Sequence, residues 1–296
     1  MHYWAILAYD GAAYQGFQRQ SEGKPSVQAT VEAALQSVVG QPTRLLCAAR
    51  TDTGVHAAGQ VISFDAGWSH GTGILQRALN ATLPDDVAIQ RLAQAPANFH
   101  PRFDAISRTY RYQVLDAAVR HPLWAPMAWH VHRGLHGPLD LATMNEAAAL
   151  LIGEHDFATF GTPTQGESTI RTLFRSEWHA EEINDSSGSA RMVWYDVVAS
   201  GFLQHMVRAL VGALVEVGLG KLSVAEFNDA FQAADRQHGH WMAPPHGLTL
   251  IEVTYSAETY AALMDNDRSD AGDAGDPTQT RQTVQRFLKV ETERLQ

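Results

Sequence analysis

Thr43-Arg44-Leu45-Leu46-Cys47-Ala48-Ala49-Arg50-Thr51-Asp52-Thr53-Gly54-Val55-His56-Ala57-Ala58-Gly59-Gln60-Val61-Ile62-Ser63-Phe64 is the stretch on which the reading of this chain turns. Thr43 to Ala48 and Val55 to Phe64 read as strands on either side of a polar loop, Ala49 to Gly54. Arg50, Thr51, Asp52 and His56 cluster there, and loops set on a rigid scaffold are where catalytic side chains concentrate. Asp52 could serve as a nucleophile or base, with Arg50 holding it ionised or gripping a phosphate. It could equally be a turn aspartate that accepts local backbone N–H bonds while Gly54 supplies a positive φ.

Outward from this loop the pattern stays mixed. His2 to Asp10 alternates as a strand and ends in the Asp10-Gly11 turn. Val27 to Val39 has helical apolar spacing, with Ser26 as N-cap and Gly40 as stop. A helix is expected over Gly73 to Asn80, then strands at Val87 to Leu92 and Ala105 to Leu115. The Pro-marked stretch Arg120 to Pro126 reads as a junction. Beyond it we expect a strand around Met127 to Val131 and a helix from about Leu139 to Ile152. Two long strands follow, Ile170 to Glu182 and Ala190 to Ser200, joined by the hairpin-like Asn184 to Gly188. Helices over Leu203 to Gly218 and Val224 to Ala233 and a strand from Leu248 to Tyr255 complete the pattern. Strands and helices interleave without strict βαβ regularity, so the fold class is α/β with mixed or antiparallel sheets covered by helices on one face. The expected division is an N-terminal α/β domain with the catalytic loop over 1–118, a C-terminal α/β domain over 119–264, and an acidic tail over 265–296. In that tail, 265–281 has almost no apolar content and reads as a flexible linker, with a short helix possible over 282–295.

The chain has 296 residues, of which 45% are hydrophobic and 18% charged. That length suggests about two domains, and the composition excludes a wholly disordered or collagen-like chain. Its one cysteine, Cys47, forms no intramolecular disulfide, and the amino terminus lacks the pattern of a secretory signal, so a cytoplasmic setting is expected. Gln204, His205, Arg208 and Glu216 interrupt the most apolar stretch, which therefore reads as a buried helix and not a membrane span. The net charge of −10 argues against bulk coating of nucleic acid, yet residues 1–118 carry nine basic and nine acidic side chains and are neutral. Of the 22 cations 19 are arginine, whose planar fork suits phosphate; a compositional bias would give the same ratio.

Arg208 sits inside an apolar helix, where a guanidinium needs an anion. Glu216 or Glu154 could supply one in a structural bridge, or an active-site carboxylate from the other half could do so. In Arg108-Thr109-Tyr110-Arg111-Tyr112 the rings at i and i+2 share one face of a strand beside arginines, an arrangement that can stack an unpaired base. A half-buried strand with snorkelling cations is the alternative. The loop Tyr9 to Gln20, which holds Arg19, mixes glycines, aromatics and amides. His130 with His132, and His238 with His240, lack the carboxylate or cysteine partners of a zinc site, so no metal is expected.

These residues carry a resemblance. Tyr9-Asp10-Gly11 through Tyr14-Gln15-Gly16-Phe17-Gln18-Arg19-Gln20 and then Ala49-Arg50-Thr51-Asp52-Thr53-Gly54-Val55-His56-Ala57 resemble two signatures of the tRNA pseudouridine synthase A family. In the same order follow Asn80 with Leu83-Pro84, Phe99-His100 with Arg102-Phe103, Arg108 to Tyr112, Phe202-Leu203 with His205 to Arg208, and Gly247-Leu248. The likeness covers residues 3–255, with Ala49 and Thr53 standing where the family usually has glycine and alanine. It implies two α/β sandwich domains facing each other across a central basic cleft, a homodimer, and isomerisation of uridine to pseudouridine at positions 38 to 40 of the tRNA anticodon stem-loop. It also implies roles. Asp52 falls on the nucleophile, Arg50 on the arginine that helps extrude the base, and Arg208 on the basic partner of the aspartate. Tyr110 matches the tyrosine that stacks on the target uracil and is a candidate to take its C5 proton. Arg19, Arg108 and His56 are expected to contact the substrate. The reaction involves no redox change or phosphoryl transfer, so no cofactor is expected.

A carboxylate glycosidase and a non-catalytic tRNA-binding module fit less well. The first needs two carboxylates flanking a bond, and the loop has one; the second has no use for Asp52.

Overall fold

The computed structural model of the chain describes residues 1–20, 23–132, 137–163, 166, 168–185 and 188–268. In chain order these form β1 (His2–Tyr9), α1 (Val27–Val39), β2 (Leu45–Cys47), β3 (His56–Asp65), α2 (Thr72–Thr82), β4 (Val87–Gln94) and β5 (Ala105–Ala117). After the junction come β6 (Trp129–His132), α3 (Leu141–Ala149), β7 (Gly153–Asp156), β8 (Ile170–Asp185), β9 (Gly188–Ala199), α4 (Met206–Gly218), α5 (Val224–Gln232), β10 (Leu248–Tyr255) and α6 (Ala257–Arg268).

Local chemistry accounts for the first helix. The Ser26 side chain accepts from the Ala29 N–H, and Gly40 closes the helix in the left-handed region at φ 78°. Val27, Val31, Ala34 and Leu35 are the buried stripe, as the 3.6-residue period requires.

The strands form one mixed sheet in the order β4-β1-β3-β10-β5-β9-β8-β7, with β2 added to β3 and β6 to β5. Pairing is antiparallel except at β10–β3 and β5–β6. Two contacts join the halves of the chain. β5 runs antiparallel to β9, from Arg108 opposite Ala199 to Asp116 opposite Arg191. β10, from the end of the second half, lies between β3 and β5 of the first. Gly59 permits that insertion, since a Cβ there would stand 2.2 Å from the Ile251 carbonyl oxygen.

Helix α4 is the interior pillar. Eleven of its 13 residues are buried, leaving only Arg208 and Glu216 partly open. An all-round apolar helix of this kind belongs in a core, and among the described residues no helix is long and apolar enough to cross a membrane.

Three details differ from the pattern read in the sequence. The polar Gly153-Glu154-His155-Asp156 forms β7, because antiparallel pairing with Leu173 to Ile170 of β8 supplies what its own composition does not. Helix α4 begins at Met206 and not Leu203, since His205 adopts φ 64° and cannot continue a right-handed helix backwards. Asp265 to Arg268, expected in a flexible linker, belong to α6, which starts behind Ser256, whose hydroxyl accepts from the Thr259 N–H at 3.1 Å. Residues 269–296, including the possible helix over 282–295, and the tip of the 184–188 hairpin lie outside the described residues.

Candidate active site

The loop between β2 and β3 is held from below by buried polar groups. Gln60, fully buried on β3, brackets Ala49: its amide accepts from the Ala49 N–H at 3.1 Å and donates to the Ala49 carbonyl at 2.7 Å. The Thr51 hydroxyl pairs with the Tyr9 hydroxyl at 2.8 Å, and the Thr51 carbonyl accepts from the Phe17 N–H. Gly54, at φ 74°, donates to the Tyr14 carbonyl. The glycine-aromatic loop after β1 is thus the wall that shapes the Asp52 loop. Gly11 lets the two touch, as a Cβ there would fall 2.0 Å from the Val55 carbonyl oxygen.

Asp52 does not behave as a turn aspartate. Among the described residues its carboxylate takes no backbone N–H; its neighbours are Arg208 Nη1 at 3.6 Å and His205 Nε2 at 3.8 Å, both to Oδ2. These are ion-pair distances beyond hydrogen-bond length, so the carboxylate retains acceptor capacity toward the cleft. Arg208 is aimed by its Nε, which donates to the Ala243 carbonyl at 2.9 Å. Glu216, an alternative partner, faces Lys221 at 3.4 Å. The second neighbour, His205, stands in a segment matched to the family but was given no role from the sequence. Its φ of 64° at the N-cap of α4 places the ring beside Asp52, a backbone conformation that few non-glycine residues adopt.

Strand β5 sends alternate residues to opposite faces. Tyr110 lines the cleft, nearly buried, with the Phe202 ring edge-on at 5.1 Å. Its hydroxyl has no hydrogen-bond partner among the described residues. Burial, then the neighbouring Tyr9 and Asp52, push its pKa well above the usual phenol range. Such a phenol keeps its proton, so it can accept one from carbon only while giving up its own. Tyr112, on the same face, is structural: it is fully buried and its hydroxyl donates to the Pro244 carbonyl at 2.7 Å. On the opposite face Arg111 grips Asp196 with two bonds of 2.7 and 2.8 Å.

The other expected contacts separate in kind. Arg50 is exposed on the cleft wall and has no protein partner among the described residues. Arg19 also lines the cleft, more than half exposed, with one nitrogen 3.1 Å from the buried Glu32. Arg108 is 8% exposed, and its guanidinium donates to the carbonyls of Arg102 (2.6 Å), Ser200 (2.9 Å), Ala48 (3.2 Å) and Ala105 (3.3 Å). His56 is 2% exposed and does not line the cleft. Its Nδ1 accepts from the Gly11 N–H at 3.1 Å and its Nε2 faces the His246 carbonyl at 3.1 Å. A neutral ring with the proton on Nε2 satisfies both. The Asp10 carboxylate, 2.9 Å from Nδ1, becomes a partner only on protonation, and then the Gly11 bond is lost. Burial, the largest influence, holds the His56 pKa below 6.5.

The resulting cleft has a volume of about 1360 Å³ and draws its lining from both halves of the chain. Arg19, Arg44, Arg50, Arg102, Arg108, Arg171 and Arg208 line it, against two carboxylates, Glu32 and Asp52. Both carboxylates are paired to arginine, so the cleft is basic in a chain of net charge −10. Arg44 and Arg171 carried no sequence signal of their own, and Arg102 stood only in a matched segment without a role, until the fold collects them. Cys47 also lines the cleft but is no rival nucleophile, because burial pushes its thiol up to about 11 and the thiolate is the reactive form. Among the described residues no three His, Cys, Asp or Glu side chains gather as a metal-ligand set.

The profile of a family described as tRNA pseudouridine synthase matches residues 5–104 and 147–256. Curated relatives named tRNA pseudouridine synthase A include one from Neisseria meningitidis serogroup C, 41% identical over 254 residues, covering 85% of this chain and 91% of the relative. Another, from Chloroflexus aurantiacus, is 40% identical over 258 residues, with 84% and 87% covered. A third, from Pseudomonas aeruginosa, is 36% identical over 254 residues, with 85% of each covered.

Proposed function

Because the chain belongs to the tRNA pseudouridine synthase family, we propose that it isomerises uridine to pseudouridine at positions 38 to 40 of the tRNA anticodon stem-loop, with Asp52 as the nucleophile. The observation that carries this reading is the Asp52 carboxylate in an arginine-lined cleft, faced by Arg208 and His205 and neighboured by Tyr110. The reaction breaks the N1–C1′ bond of uridine, turns the uracil and forms a C5–C1′ bond; the C5 proton leaves and N1 gains one. The base must leave the stack to reach such a pocket.

Roles follow from placement. Asp52 acts as the carboxylate, and Arg208 faces it at 3.6 Å. Tyr110 offers a ring to the extruded uracil and a protonated hydroxyl, so any transfer from C5 to it is a relay in which its own proton departs. Arg50, without a protein partner among the described residues, occupies the space vacated by the target base. Arg19 and Arg44 meet phosphates. Arg108 and His56 are positioning residues in this scheme: both terminal nitrogens of the first are engaged by backbone carbonyls, and the second is sealed behind the loop it supports. Residues 1–118 and 119–264 act as two lobes on one sheet, working as a homodimer in the cytoplasm with no cofactor. The dimer rests on family resemblance and is checked by light scattering.

The decisive experiment is Asp52→Asn, assayed by release of tritium from tRNA carrying C5-labelled uridine. Turnover should fall by more than about a thousandfold, as when a nucleophile is removed, while tRNA affinity stays within a few-fold because the arginine contacts remain. Tritium release near the wild-type rate removes Asp52 from the chemistry.

A further inference from the structure

Phe103 is an exposed aromatic on a turn that is built to hold it still. Its ring is 73% exposed, and it lines the same cleft as Asp52. The turn from His100 to Asp104 is fixed at several points. The His100 Nδ1 accepts from the backbone N–H groups of Arg102 (3.1 Å) and Phe103 (3.3 Å). The Asp104 carboxylate accepts from the His100 N–H at 2.9 Å, and the Asp104 N–H donates to the His100 carbonyl. From beneath, Arg108 donates to the Arg102 carbonyl at 2.6 Å and the Tyr255 hydroxyl to the Pro101 carbonyl at 2.7 Å. The His100 ring then packs against Phe103, with centroids 4.3 Å apart and planes at 36°.

This is a costly way to expose a phenyl ring to water. An exposed phenylalanine alone means little, but here its backbone is pinned on both sides, its ring is braced by a second ring, and Arg102 lies next to it on the cleft wall. A rigid aromatic flanked by a guanidinium in a basic groove is the arrangement that receives an unpaired nucleobase by stacking. The ring is distinct from the pocket of Tyr110, which is nearly buried against Phe202. The geometry points to a second base-binding site: Phe103, braced by His100, is a stacking platform for an unpaired base of the RNA other than the uridine being isomerised. This inference rests on the proposed RNA substrate.

The experiment uses the full chain and a tRNA transcript, with wild type, Phe103→Leu and Phe103→Tyr compared. Leucine keeps an apolar side chain without a π-face; tyrosine keeps the face. Because the ring is exposed, neither change disturbs the core. Phe103→Leu should weaken tRNA binding by about 5- to 140-fold, the range expected for one base stacked on an aromatic ring, and Phe103→Tyr should stay within about twofold of wild type. In parallel, 2-aminopurine placed singly at the unpaired loop positions of a tRNA-derived hairpin should be quenched at one position by wild type and Phe103→Tyr but not by Phe103→Leu. Equal affinity of Phe103→Leu and wild type, or quenching that survives in Phe103→Leu, overturns the platform. Failure of the underlying reading looks different: wild type itself would neither bind tRNA nor release tritium from it.

Discussion

Arg108→Met separates two accounts of an arginine that sits beside aromatic residues in a basic cleft. Methionine keeps an unbranched apolar stem and removes every donor. The guanidinium makes two short bonds, to the carbonyls of Arg102 (2.6 Å) and Ser200 (2.9 Å), and two long ones, to Ala48 and Ala105. Bonds from a charged donor contribute roughly 1.5–3 kcal/mol each, so the short pair brings about 3–6 kcal/mol, with less from the long pair. Against this stands the cost of burying a cation: burial is the largest influence lowering the Arg108 pKa, and among the described residues no carboxylate pairs with it. The net loss on substitution should be about 2–4 kcal/mol, a drop in Tm of roughly 3–6 °C for a chain this long. Urea denaturation measures the stability, and tRNA affinity at several salt concentrations measures the phosphate contacts. A clamp joining the loop after β2, the 100–104 turn and the end of β9 gives lower stability and an unchanged slope of log affinity against log salt. A phosphate ligand gives unchanged stability and a slope smaller by about 0.7–0.9. The second outcome would refute the positioning role. Arg108→Lys should recover little of the stability, because a single ammonium cannot span four carbonyls as a planar fork does.

Two further outcomes follow from the site. Tyr110→Phe keeps the ring against Phe202 and removes a hydroxyl that has no partner among the described residues, so tRNA affinity should hold while tritium release slows by about 10²–10⁴-fold, the usual scale for a lost proton-transfer group; normal turnover would leave stacking as its only role. His56 should make the protein less stable in mild acid. Its folded pKa lies below the ordinary 6.5, so below that pH the unfolded chain takes up a proton the native ring resists, and stability falls by up to about 1.4 kcal/mol per pH unit until the folded pKa is passed. Above 6.5 both states hold a neutral ring and the term vanishes. Urea melts at pH 7.5 and 5.5 should show a smaller pH-dependent loss for His56→Gln than for wild type, and equal losses would contradict the assignment.

Much of this fold was legible because its signals are local. Ser26 and Gly40 bound α1 by cap chemistry, and alternation marks β1, β8 and β9. The site was legible for a different reason. An arginine inside an apolar helix demands an anion, but the residues alone left Glu216, Glu154 and Asp52 as candidates and Asp52 as a possible turn aspartate, so the pairing was legible only through the ordered family motifs. What stayed hidden depends on chain segments far apart in sequence. β7 is polar and exists by pairing with β8. Nothing in Leu248 to Tyr255 says that it inserts between β3 and β5, a choice made by partners some 140 to 190 residues earlier. Arg108 reads as a surface cation beside aromatics until Ala48, Arg102 and Ser200 bring their carbonyls around it. His56 sits in a recognisable motif, yet its burial is decided by Gly11 and His246, from either end of the chain. His205 is a left-handed N-cap that no helix propensity anticipates.

The arginine excess acquires a physical sense once the cations are sorted by what they touch. Arg108, Arg111 and Arg191 are used up inside the fold: the first on carbonyls, the second on Asp196 and the third on the fully buried Asp116. Each grips two or more oxygens at once, which a lysine's single ammonium does less well. Others in the cleft, such as Arg44 and Arg50, have no protein anion among the described residues. Among the described residues only two carboxylates, Glu32 and Asp52, line that cleft against seven arginines, so the excess of acidic over basic side chains in the chain lies outside its lining. A polyanion is therefore repelled over most of the molecule and attracted at one groove, and clefts lined by one sign of charge focus the field that steers such a ligand. Global charge, which argued against nucleic acid when read from composition, is thus compatible with the proposed RNA substrate, because the groove that holds Asp52 has the opposite sign.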